Sequence, residues 1–227
     1  MNSRRFNLGS SAITVTLKLA KFLHTIPHPG TAAFSFLRDG LLEFGLSWQS
    51  VSFENRSARL GDMVLKLSLF GGTVNVKILV DQVEVFIGAD YTGALSQLDT
   101  VLPVIGEILR EADTEARVAE VDVLMRSHFT LLDSDADVHL NRFLLPRSGA
   151  SPVAFAFRID SDSQFFAKNG QVTIARSLQI PGGLFAEWSA TLSDFPELGT
   201  ITSRTAGEFV RVLGLFGLVS NEEKDAA

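Results

Sequence analysis

Apolar and polar residues alternate strictly near the start of the chain, from Ile13 to Leu19. A period of two is typical of a β-strand that buries one of its faces. Apolar residues then recur at helical spacing, with Thr31 as the predicted N-cap and Gly45 as the predicted end of the helix. The pattern therefore begins with a strand and continues with a helix.

Several alternating segments follow that helix and predict an antiparallel meander. They lie at residues 48–55, 63–70, 73–80 and 83–88. Gly71-Gly72 predicts a tight hairpin turn between the second and third of them. A broad apolar stripe then predicts a long helix from Asp90 to Arg110, which Pro103 would kink or divide.

The same order of patterns starts again after a charged stretch at residues 107–117. The elements predicted there are a strand at 118–132, a short helix at 137–144, strands at 153–159, 165–168, 171–180 and 184–192, and a helix near 206–216. Asn169-Gly170 predicts a hairpin turn, and Ser203 or Thr205 is the predicted cap of the last helix. We therefore expect an α+β protein with two similar β-α-β-β-β-α halves, whose antiparallel meander sheets are covered by helices.

The order of elements also predicts the boundaries of these halves. They are an N-terminal extension at 1–11, a first α+β half at 12–114, a second α+β half at 115–219 and a flexible tail at 220–227. With 227 residues, the chain is long enough for two such units. The two halves share no evident residue identity, so this prediction rests on the order of elements alone.

Composition and charge narrow the class of protein. Hydrophobic residues make up 46% of the chain and charged residues 20%, which is a globular composition. No apolar run approaches the roughly 18 residues of a membrane span, and the N-terminus lacks a signal-peptide pattern. We therefore expect a cytoplasmic protein without a membrane partner. The net charge of −6 argues against a nucleic-acid partner.

Motifs for catalysis or cofactor binding are absent from the sequence. There is no cysteine, which excludes disulfides, thiolate metal sites and a cysteine nucleophile. His24 and His28 have helical metal-site spacing, but Pro27 and Pro29 prevent the helix that would align them. The glycine pairs lack the context of a P-loop, and no nucleophile elbow or zinc-protease motif occurs. We expect no cofactor and favour a non-enzymatic role, while leaving the enzyme question open.

The acidic stretch at residues 133–137 resembles the start of a calcium loop. An EF-hand needs glycine at its sixth position and glutamate at its twelfth, and this chain has Val138 and Leu144 there. The better interpretation is an acidic N-terminal cap on the short helix that follows, stabilised by the helix dipole. We therefore expect no metal site at this position.

Phenylalanine is unusually abundant, with 18 residues against a single tyrosine. Core packing accounts for most of them, because a phenyl ring makes no hydrogen bonds. The candidate interaction or ligand surface comprises rings on the wet face of predicted strands or in the second meander: Phe70, Phe86, Phe155, Phe157 and Phe185.

This surplus of apolar rings favours a protein-interaction role. We predict a non-enzymatic subunit of a homo-oligomer or of a larger cytoplasmic complex. The alternative is a binding protein for a small apolar ligand, held between a curved sheet and its closing helix.

Overall fold

The structure is a computed structural model that describes residues 4–28, 31–46, 48–55, 63–143, 153–159, 167–192 and 197–221. The strands, in chain order, are β1 (Arg4–Leu19), β2 (Val51–Asn55), β3 (Met63–Leu69), β4 (Val74–Ile78), β5 (Gln82–Asp90), β6 (Val118–Leu131), β7 (Ala154–Ile159), β8 (Ala167–Arg176), β9 (Leu184–Leu192) and β10 (Leu218–Ser220). The α-helices are α1 (Ala32–Leu41), α2 (Tyr91–Ala112), α3 (Ala136–Leu140) and α4 (Ile201–Leu215).

All the described strands belong to one sheet. Its order is β2-β3-β4-β5-β1-β6-β9-β8-β7, and every pair of neighbours in that order is antiparallel. The short β10 pairs in parallel with the start of β1. The prediction of a mixed α+β protein with a large antiparallel sheet is thus confirmed.

Alternation along the strands produces a single core on one side of this sheet. At the centre, Val85 of β5, Val15 of β1 and Val123 of β6 lie in one row, and all three side chains are buried. Helix residues such as Leu98 and Ile105 of α2 belong to the same buried cluster. Burying each such side chain contributes about 1.5–3 kcal/mol, so the period of two fixes which face the helices cover.

The local signals for helix ends are mostly confirmed. The Thr31 side chain accepts a hydrogen bond from the Phe34 backbone N–H, as an N-cap should. Asp90 caps α2 in the same way, through the Gly93 backbone N–H at 2.7 Å. Pro103 does not divide α2, which runs as one helix through that residue. Pro103 removes one helical hydrogen bond, but buried residues of α2 lie both before and after this proline.

Two predicted features of the second part of the chain are wrong. The predicted hairpin at Asn169-Gly170 is a β-bulge, because β8 continues through both residues and they oppose the single residue Ala190 of β9. Asn169 has φ of 54°, a value that suits the first position of such a bulge as well as a hairpin turn. Ser203 and Thr205 lie within α4 and do not cap it, since α4 begins at Ile201.

The chain ends also differ from the prediction. β1 already begins at Arg4, so residues 4–11, which were assigned to an extension, form part of the longest strand. β10 holds this segment in place by pairing Arg4 with Leu218 and Phe6 with Ser220. Residues 165 and 166 of a predicted strand, and 222–227 of the predicted tail, lie outside the described residues.

Candidate functional site

The strand residues that point away from the helices form the second side of the sheet, which we name the open face. Phe86 of β5, Thr14 of β1 and Leu124 of β6 lie side by side at its centre. These side chains are half-buried or exposed, whereas their neighbours along each strand are buried. The described helices all contribute to the core on the opposite side.

Charged side chains of the open face pair with one another across the strands. Lys77 Nζ lies 2.8 Å from Glu84 Oε2, and Lys18 Nζ lies 2.6 Å from Asp122 Oδ2. Hydrogen bonds to Asp122 and Glu120 raise the pKa of Lys18 above its usual range. These charges therefore have partners within the chain. The exposure of the aromatic rings beside them has no such explanation within the fold.

Two of the five predicted site residues, Phe86 and Phe185, lie on the open face. Phe86 is 41% exposed. Phe185 of β9 is half-buried, and its ring centroid lies 4.9 Å from that of His128. Partial burial at this contact lowers the pKa of His128. The structure thus leaves one ring partly in solvent and packs the other against the imidazole of His128.

A third predicted residue, Phe70, does not lie on a strand. β3 ends at Leu69, and Phe70 begins the turn that leads into β4, with φ of 51°. Its ring stacks on Phe44 with centroids 5.3 Å apart. The expectation that Phe70 points from the wet face of a strand is therefore corrected, because the turn redirects its side chain.

The remaining two, Phe155 and Phe157 of β7, point to the helix side of the sheet. They form the β7 aromatic cluster with two further rings: Phe143, Phe155, Phe157 and Phe216. Centroids of contacting rings lie 4.8 to 5.9 Å apart. Phe155 is buried, but Phe157 is 43% exposed. The sequence did not identify Phe143 and Phe216 because neither belongs to β7 and the pattern along the chain does not show that they contact it.

A cleft of about 840 Å³ lies between the last turns of α2, the start of β6 and the segment before α4. Its lining is mixed, because Leu109, Val118 and Leu198 are apolar, whereas four other lining residues are charged: Glu107, Arg110, Arg117 and Glu197. A Cβ on Gly106 would lie 2.8 Å from Leu198 Cδ1, so glycine at this position permits the close approach of Leu198 to α2. The volume is in the range of pockets for small molecules.

Metal-binding geometry is not found in the described part of the chain, which contains no group of three or more histidine or acidic residues able to hold an ion. His24 Nε2 instead lies 3.8 Å from Asp113 Oδ2. The acidic stretch near α3 is a helix cap, since Asp135 accepts a hydrogen bond from the Val138 backbone N–H at 2.9 Å. None of the described helices combines the length and apolarity needed to cross a membrane.

The chain matches no family model and no curated protein. Any functional conclusion therefore depends on the geometry of its own surfaces.

Proposed function

We propose that this chain is a non-enzymatic protein-interaction subunit of a cytoplasmic homo-oligomer or larger complex. The proposal rests on Phe86, whose ring is 41% exposed on the open face. Thr14 lies directly beside Phe86 in the sheet, and the half-buried Leu124 lies on the other side of Thr14. Fully burying an exposed ring contributes about 1.5–3 kcal/mol, and a partner that covers the exposed part of Phe86 can supply the share that the fold does not.

The surroundings of Phe86 support a protein partner. Interfaces commonly have an apolar centre and a polar rim of charged residues. On the open face the ion pairs Lys77–Glu84 and Lys18–Asp122 lie on β4, β5, β1 and β6, on one side of the row that contains Phe86. These pairs limit the number of unmatched charges that a partner must accommodate.

The test is to replace Phe86 with serine and measure association by sedimentation and by copurification. We expect association at least about tenfold weaker, because central interface rings commonly contribute more than about 1.4 kcal/mol. Phe22→Ser is the matched control, since Phe22 is 71% exposed and lies after the end of β1. A strictly monomeric wild-type protein with no copurifying partner would contradict the proposal.

We also propose that the sheet contains two similar halves, at residues 12–114 and 115–219. The pairing of strands supports this division. β1 pairs with β5, the last strand of its own meander, and β6 likewise pairs with β9. The two first strands, β1 and β6, then pair with each other at the centre.

Separate expression of the two halves tests this division. Because their buried residues form one continuous cluster, we expect neither half to be stable alone. Coexpression should restore a complex with the unfolding behaviour of the intact chain. Failure of the halves to associate would show that the cut does not fall between structural units.

A second candidate function is binding of a small apolar ligand in the cleft between α2 and the start of β6. The apolar part of the lining, formed by Leu109, Val118 and Leu198, favours it. Native mass spectrometry after gentle purification should then detect a bound molecule. Ala116→Trp, which fills the cleft from its lining, should remove that molecule without changing the oligomeric state.

A further inference from the structure

The strand β7 lies at one end of the sheet. Within the described residues it pairs with β8 and with no other strand. An edge strand presents backbone N–H and C=O groups that another strand can pair with, and proteins commonly protect such edges with charges or proline. β7 reads Ala-Phe-Ala-Phe-Arg-Ile, so Arg158 is its single charge and it contains no proline. Protection of this kind is therefore limited to Arg158, near one end of the strand.

One hydrogen bond defines which groups of β7 point outward. The Arg176 backbone N–H donates to the Val153 carbonyl at 3.1 Å, just before β7 begins. Along a strand, the backbone N–H and C=O groups of successive residues point alternately to the two sides. Every second residue after Val153 therefore also pairs with β8. The outward groups consequently belong to Ala154, Ala156 and Arg158.

We propose that a second copy of this chain occupies the β7 edge, with the two β7 strands antiparallel and a two-fold axis at Ala156. This inference rests on the proposed interaction function and names the partner and the surface of self-association. Centring the axis on Ala156 places Ala154 opposite Arg158 of the second copy. All the outward groups of β7 then find hydrogen-bonding partners, which specifies an extended strand as the occupant.

The side chains match this register on both faces of the sheet. Phe155 lies opposite Phe157 of the second copy, and such directly opposed aromatic pairs stabilise antiparallel strands. The pairing makes the β7 aromatic clusters of both copies continuous and covers the exposed ring of Phe157. On the open face, alanine opposes alanine at the axis. The two Arg158 side chains lie at opposite ends of the strand pair, so like charges do not meet.

Single cysteines provide a direct test, because the chain contains no cysteine of its own. Identical residues at the axis lie about 5.5 Å apart between Cα atoms, which is within the range of a disulfide. We expect Ala156→Cys to form a disulfide-linked dimer under mild oxidation. Ala154→Cys is the matched control on the same strand and Ser52→Cys on the other edge, and neither should crosslink efficiently. Crosslinking of either control in preference to Ala156→Cys would overturn the register.

Charge substitution tests the same contact without a covalent bond. Ala156→Lys and Ala156→Glu each place like charges across the axis, so each should raise the dimer dissociation constant at least about tenfold. A mixture of the two variants should restore a dimer, because opposite charges then meet. Both side chains point to solvent in the monomer, so the unfolding midpoint should change little.

The outcomes separate this inference from the proposed interaction function. If Phe86→Ser disrupts the wild-type oligomer while the Ala156 variants leave it intact, the interaction function stands and the β7 pairing is wrong. If wild-type protein is monomeric but copurifies with another protein, the same conclusion holds. A wild-type dimer that Ala156→Lys dissociates and that the lysine–glutamate mixture restores supports the pairing.

Discussion

Trp188 and Phe185 are neighbouring aromatic residues of β9 that point to opposite faces of the sheet. Trp188 is 1% exposed, and its ring centroid lies 6.4 Å from that of Phe209 of α4 within the core. Phe185 is half-buried on the open face against His128. The same strand therefore uses one ring to attach a helix and leaves the other accessible. The difference separates aromatic residues that stabilise the fold from those that are available to a partner.

Alanine substitution at both positions measures this difference directly. Trp188→Ala should lower the free energy of unfolding by about 3–5 kcal/mol, because it leaves a cavity between β9 and α4. Phe185→Ala should lower it by less than about 1.5 kcal/mol, since part of that ring already contacts solvent. Urea unfolding monitored by circular dichroism gives both values. Equal losses would show that Phe185 is a structural residue and that the two faces do not differ in this way.

A change of pH tests the stability of the helix-covered side of the sheet, where His139 of α3 is buried. Its ring is buried beside Phe143, and neither ring nitrogen has a hydrogen-bond partner among the described residues. Burial, together with the charges of Arg142 and Arg4, lowers the pKa of His139 to about 4. The unfolded chain takes up this proton near pH 6.5. Stability is therefore lost as the pH falls from about 6.5 towards 4, by about 3 kcal/mol in total.

The variant His139→Leu isolates this contribution from that of the carboxylates. Between pH 7.5 and pH 4.5 its free energy of unfolding should fall less than that of the wild type. His24→Leu serves as the control, because His24 is exposed and lies outside the core. Identical pH dependence in wild type and His139→Leu would mean that the imidazole gains access to water in the folded state.

The features that the sequence predicted correctly are those set by neighbouring residues. Thr31 caps its helix because its side-chain oxygen reaches a backbone N–H three residues ahead. The alternation in β1, β5 and β6 likewise determines the buried face of each strand. These signals require no knowledge of which strands become neighbours.

The features that the sequence missed depend on residues that are distant along the chain. Asn169-Gly170 tolerates positive φ in a hairpin and in a bulge, and only the pairing of β8 with β9 selects the bulge. The β7 aromatic cluster unites Phe143 and Phe216, whose contact spans much of the second half of the chain. Their spacing along the sequence carries no signal of this contact. Of the four rings in this cluster, the sequence therefore indicated Phe155 and Phe157 but not Phe143 and Phe216.

Buried hydroxyl groups give a smaller test of the same contrast between faces. Ser11 and Ser127 share a buried hydrogen bond with their Oγ atoms 2.5 Å apart. Ser127→Ala leaves the Ser11 hydroxyl without this partner and should lower the free energy of unfolding by about 1–3 kcal/mol. Replacing both residues with alanine should recover much of the loss. Ser189→Ala on the open face should change stability by no more than about 0.5 kcal/mol.

The smallest expected effect concerns the ion pairs of the open face. Lys77→Gln removes the contact with Glu84, and both side chains are partly exposed, so the loss should stay below about 1 kcal/mol. Added salt should reduce this difference further, because it screens surface charges. If these ion pairs instead lie at the rim of an interface, added salt and Lys77→Gln should change the affinity for the partner more than the free energy of unfolding. A large loss of stability with unchanged association would place the function of these charges in the fold and not at the interface.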